Sequence, residues 1–143
     1  MFNKFFEKYS EWSFVFLRLG LGIIFFVHGI GKLFSIGPLA VGINGTAGYF
    51  ISLGIPAALF FAWIIALVET FGGLAILLGI FTRYAAALIA VEVIVAAVLV
   101  HLPNGFSVLN GGYEWPLILL MVAITLLFVG GGRKLSLEKL LKG

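Results

Sequence analysis

The sequence predicts an all-α membrane protein: a polytopic four-helix bundle that takes up residues 1–143 as one domain and leaves both termini in the cytoplasm. Composition is the first ground for this reading. Of 143 residues, 62% are apolar and only 10% charged, and mean hydropathy is +1.20, whereas a soluble domain carries roughly a quarter charged residues. The second ground is four apolar runs long enough to cross about 30 Å of hydrocarbon. The third is the placement of the cations. Lys4, Lys8, Arg83, Arg133, Lys134, Lys139 and Lys142 fall at the termini and in the second connection, while the first and third connections hold no Lys or Arg. The positive-inside rule then puts the termini and the second connection in the cytoplasm of a multi-pass cell-membrane protein.

Residues 1–12 alternate Lys4, Glu7, Lys8 and Glu11 with Phe2, Phe5 and Phe6, the pattern of an amphipathic lead-in lying on the membrane surface. No small-residue cleavage site follows it, so it does not read as a signal peptide. The first span covers 14–34. The connection after it, 35–56, is uncharged, and within it Thr46 as an N-cap and Gly54 past the end delimit a short helix at the outer interface. The second span covers 57–80, with Pro56 in its first turn, where a missing N–H costs nothing. Gly79 and Thr82 bound a tight reversal into the third span, 83–102. The fourth span covers 114–131. Trp12, Tyr84, Tyr113 and Trp115 fall at the expected interfaces, as an aromatic belt does.

Ionisable groups inside such spans are costly, at about 2.5–3.5 kcal/mol each on insertion scales, and ask for a reason. At 1.5 Å per residue, Glu69 and Glu92 both lie within roughly 2 Å of the midplane. Gly72 and Gly73 share a face with Glu69 and let a neighbouring helix approach it. On the first span Arg18, Gly22, Phe25, His28, Gly29 and Lys32 occupy about a 120° arc. The same arithmetic puts Lys32, His101 and Glu114 in one outer layer, about 12–13 Å from the midplane, with His28 between that layer and the glutamates. The reading is a polar track from the outer surface to mid-membrane, with His28, Glu69 and Glu92 as the catalytic groups and Lys32, His101, Glu114 and Arg18 holding a ligand.

Plainer roles compete for each residue. Arg18 can snorkel to the interface or pair with Glu69 or Glu92. Lys32 and Glu114 can form an interfacial ion pair, His101 can cap a helix end, and a protonated carboxyl can act as interhelical glue. A bis-imidazole haem site from His28 and His101 is disfavoured, because their depths differ by about 7 Å. With no Cys in the chain, thiolate metal sites, iron–sulfur clusters and dithiol chemistry are excluded. No metal or flavin motif is visible, and the net charge of +3 sets topology and forms no nucleic-acid patch.

Motif-like segments recur along the chain: Leu17-Arg18-Leu19-Gly20, His28-Gly29-Ile30-Gly31-Lys32-Leu33, Leu53-Gly54-Ile55-Pro56, Glu69-Thr70-Phe71-Gly72-Gly73 and Leu78-Gly79-Ile80-Phe81-Thr82-Arg83. They continue with His101-Leu102-Pro103-Asn104-Gly105, Gly111-Gly112-Tyr113-Glu114, Gly131-Gly132 and Ser136-Leu137. In these segments the chain resembles the DoxX-like family of small membrane proteins. Where the family commonly ends Ser-Leu-Asp, this chain has Glu138. The resemblance implies a four-helix membrane protein associated with oxidoreductases, with relatives linked to thiosulfate:quinone oxidoreductase, terminal-oxidase and oxidative-stress assemblies. A quinone-linked oxidoreductase subunit working with a redox-partner protein is therefore the leading expectation. A non-catalytic assembly subunit and a proton-coupled small-solute carrier, the latter as a homo-oligomer, are the alternatives.

Overall fold

A computed structural model describes residues 2–142; Met1 and Gly143 lie outside the described residues, as do the side chains of Phe2, Asn3 and Phe5 in the expected amphipathic lead-in and that of Lys142. Among the described residues the secondary structure is entirely helical. A short α1 (Phe2–Tyr9) leads into α2 (Trp12–Leu33), and α3 (Gly42–Ser52) lies in the long first connection. The chain continues through α4 (Ala58–Leu78) and α5 (Thr82–Asn104), then α6 (Glu114–Val129) and a terminal turn, α7 (Leu137–Lys142). The helices α2, α4 and α5 are long and apolar enough to cross a membrane, with mean hydropathies of 2.0, 2.1 and 2.5. Helix α6 has 16 residues, about 24 Å of rise, and packs along α5, while the most extensive pairing in the bundle is α2 against α4.

Several boundaries differ from the sequence reading for local reasons. Thr46 is not an N-cap: Gly42, at φ +73°, starts α3 four residues earlier, and the Thr46 hydroxyl donates back to the Gly42 carbonyl at 2.9 Å, as Ser and Thr do inside helices. Pro56 lies outside α4, because Ala57 takes a left-handed conformation (φ +51°) and the helix opens only at Ala58. The α4–α5 reversal uses two left-handed residues, Gly79 and Phe81.

The core is built from small and branched residues, among them Leu21, Phe25, Ile76, Ala86, Ile89, Ala90, Val93, Ala123 and Leu126. Glycine brings α2 and α4 into backbone contact. A Cβ on Gly29 would collide with the backbone nitrogen and hydroxyl of Thr70, and one on Gly73 with the backbone nitrogen of Phe26. Without a hydrophobic force between helices in lipid, such close approach is what holds spans together. Here it also fixes the height of Glu69 against α2.

The opposite end of the bundle is tied by Arg18, only 2% exposed. Its Nε donates to the Ile76 carbonyl (2.9 Å), Nη2 to Leu77 (2.8 Å) and Leu135 (2.7 Å), and Nη1 to Gly131 and Lys134 (both 3.1 Å). All five guanidinium N–H groups are thus used, on the last carbonyls of α4 and on the segment after α6. Arg18 therefore neither snorkels nor pairs with Glu69 or Glu92. The free carbonyls of a helix C-terminus attract a cation, and a forked donor set can satisfy several at once.

Candidate functional site

Glu69 sits in a wide π-helical turn, Val68–Gly72, within α4. Such turns interrupt the regular ladder and occur frequently at functional sites. Beside it, the close α2–α4 approach at Gly29 carries Lys32 past the carboxylate. The Lys32 ammonium donates to both Glu69 oxygens, at 2.8 and 2.6 Å, and the two side chains are 18% and 5% exposed. The expected Lys32–Glu114 pair is therefore absent. Depth counted along the helix axis ignores the length of a lysine side chain, and Lys32 bends inward to meet the acid on α4.

The Glu92 carboxyl on α5 is brought to the same place, lining one pocket together with Glu69. Its Oε2 is buried with no hydrogen-bond partner. One ammonium and two carboxyl groups thus sit side by side in a low-dielectric interior, where unpaired charge is expensive.

A pocket of about 210 Å³ opens onto these carboxyls, lined by His28, Glu69, Glu92 and His101, with Phe25 and Pro116 among its apolar walls. All of α2, α4, α5 and α6 contribute. At about 30 Å³ per molecule it would take on the order of seven waters, or a small ligand headgroup; it is below the roughly 300–1,000 Å³ of sites for drug-sized molecules. Both histidines are oriented alike. His28 Nδ1 lies 2.9 Å from the Ile24 carbonyl, and His101 Nδ1 lies 2.7 Å from the Gly111 carbonyl. A carbonyl can only accept, so in each ring Nδ1 carries the proton and Nε2 remains for another partner. His101 is the last residue of a second π-helical turn, Ala97–His101. Among the described residues, no group of three or more His, Asp or Glu is placed to hold a metal ion.

Of the seven residues singled out from the sequence, His28, Glu69, Glu92 and His101 meet at this pocket, and Lys32 joins them through Glu69. Two do not. Glu114 accepts a hydrogen bond from the Val108 backbone N–H at 2.9 Å and so clamps the 105–113 loop, whose Gly111 carbonyl orients His101. Arg18 is the clamp at the other end of the bundle. His28 is more exposed than a mid-track position implies, which sets it at an open side of the pocket. The walls supplied by Pro116 and Leu119 had no sequence signal, since α6 is apolar on every face.

The fold and the pocket define a helical membrane protein with an ionic cluster inside its bundle. The DoxX family model matches residues 13–102, and the chain belongs to that family. A Bacillus subtilis (strain 168) protein named "Putative oxidoreductase CatD" is 36% identical over 132 residues, covering 92% of this chain and 89% of the relative. An uncharacterized Haemophilus influenzae protein is 29% identical over 130 residues, 88% of this chain and 89% of its own. An uncharacterized membrane protein of Mycobacterium tuberculosis is 34% identical over 134 residues, 85% and 77% of the two chains. No solved structure matches the chain.

Proposed function

We propose that the protein is a quinone-linked oxidoreductase subunit of the cell membrane. In this reading it is a four-span chain with cytoplasmic termini, and its pocket receives a quinone headgroup beside a proton-donating carboxyl pair. The observation that carries this is the meeting of two imidazoles and two carboxyls at one small pocket between apolar helices. Reduction of a quinone to a quinol takes two electrons and two protons. The electrons come from a redox-partner protein or a soluble donor, because this chain has no electron-carrier motif. The protons come through the carboxyl pair, and a positioned acid typically contributes 10²–10⁴-fold. Each imidazole can hold one end of the headgroup through Nε2, and the Lys32–Glu69 pair keeps the second carboxyl poised. The name of the Bacillus subtilis relative supports the oxidoreductase part of the reading.

The test has two readouts: equilibrium binding of a short-chain quinone to the purified full chain, and reduction of that quinone in membranes that carry the protein together with its electron donors. Glu92→Gln is expected to slow reduction by at least 10²-fold with binding largely kept, and His28→Ala to weaken binding. If both variants bind and turn over quinone like the parent, the quinone reading is wrong. A membrane protein that co-purifies in stoichiometric amount without quinone turnover would favour the assembly-subunit reading, and pH-dependent solute uptake in liposomes would favour the carrier.

A further inference from the structure

At the end of the bundle away from the pocket, a second cleft of about 500 Å³ is lined by Phe14, Arg83, Val129, the Gly130–Gly132 backbone, Arg133 and Lys139, together with Glu11, Ser136 and Glu138. We infer that this cleft binds the phosphate headgroup of an anionic phospholipid. Three separate elements bring their cations to it: Arg83 from the start of α5, Arg133 from the segment after α6, and Lys139 from α7. The arrangement is fixed from beneath, because the Ser136 hydroxyl and the Glu138 backbone N–H both reach the Gly79 carbonyl, at 2.8 and 3.1 Å. Of the acids on the wall, Glu11 is engaged by the Arg133 backbone N–H at 3.2 Å, and Glu138 has a partner of its own. With three cations against two acids on its wall, and with Arg83 and Arg133 exposed, the cleft keeps a net positive charge for an outside anion.

The surroundings choose a lipid over a free anion. Phe14 and Val129 give the cleft an apolar floor, and around it Phe81, Tyr84, Leu135 and Leu140 are 63%, 75%, 69% and 77% exposed. An aromatic and leucine rim beside clustered cations is the composition of a membrane interface, where basic pockets between spans take lipid headgroups. An acyl chain can follow that rim while the phosphate lies between Arg83 and Arg133.

The experiment is native mass spectrometry of the full chain from mixed micelles holding equal phosphatidylglycerol and phosphatidylcholine. The parent should retain phosphatidylglycerol preferentially, and Arg83→Gln/Arg133→Gln should cut that preference by roughly tenfold or more. Lys4→Gln/Lys8→Gln, which removes two cations of the same end outside the cleft, should leave it in place. Equal retention of the two lipids by the parent would overturn the inference, as would an equal loss in the Lys4/Lys8 variant. Displacement of the retained lipid by millimolar inorganic phosphate would show a free-anion site and overturn the assignment to lipid.

Discussion

Lys32→Met tests whether the ion pair at the pocket is truly enclosed. Both partners lie mostly out of solvent, with side-chain exposures of 18% and 5%, and both Glu69 oxygens are engaged. Removing one member of such a pair leaves an uncompensated charge, at about 3–5 kcal/mol, whereas replacing both with neutral residues is nearly neutral. Lys32→Met and Glu69→Gln should therefore each destabilise by about 3 kcal/mol or more. Glu69→Gln should sit at the lower end, because Glu92 on the same pocket leaves a second carboxyl near the ammonium. The double variant should recover most of the loss, leaving about 1 kcal/mol, so the coupling should be about 4–6 kcal/mol. Reversible unfolding in mixed detergent micelles, run as a complete double-mutant cycle, supplies the four free energies. Single losses below about 1 kcal/mol that simply add would mean a pair as weak as a surface salt bridge, and the argument from an enclosed cluster would fail.

Other expectations follow from the same geometry. Gly29→Ala forces a methyl into the Thr70 backbone and should cost about 1–3 kcal/mol; Gly20→Ala, with nothing within 4 Å of the added carbon, should be neutral or slightly stabilising in the same unfolding assay. Arg18→Met abandons five carbonyls and should cost several kcal/mol, at about 1–3 kcal/mol for each buried group left unpaired. Arg18→Lys should restore only part, since an ammonium has three donors. Glu114→Ala should loosen the 105–113 loop, seen as faster amide exchange at Val108, and Glu114→Gln should retain most of the protection through its amide oxygen.

What the sequence disclosed was whatever depends on one helix at a time. Apolar runs located α2, α4 and α5 to within a few residues, because hydrocarbon burial is additive along a chain. Glu69 and Glu92 stood out by the cost of their positions, and the glycines near Glu69 correctly pointed to a close neighbour. What stayed hidden depends on two helices at once. The reach of Lys32, the two π-helical turns and the left-handed start at Ala57 are outcomes of packing, and no periodicity announces them. Arg18 was misread because its partners are main-chain carbonyls, which every sequence has and none advertises. Glu114 was misread because a loop fold, Val108 turning back to it, has no helical register from which to count.

The Arg18 clamp has a consequence for biogenesis. Its acceptors lie 58 to 117 positions further along the chain, so the first span leaves the ribosome with a guanidinium that has nothing to hold. Until Ile76 and Leu77 arrive, the cheapest place for that charge is the water boundary. Synthesis of residues 131–135 supplies the remaining carbonyls. The burial of a side chain on the first long helix thus waits on segments made much later, and translation order becomes part of how the bundle closes.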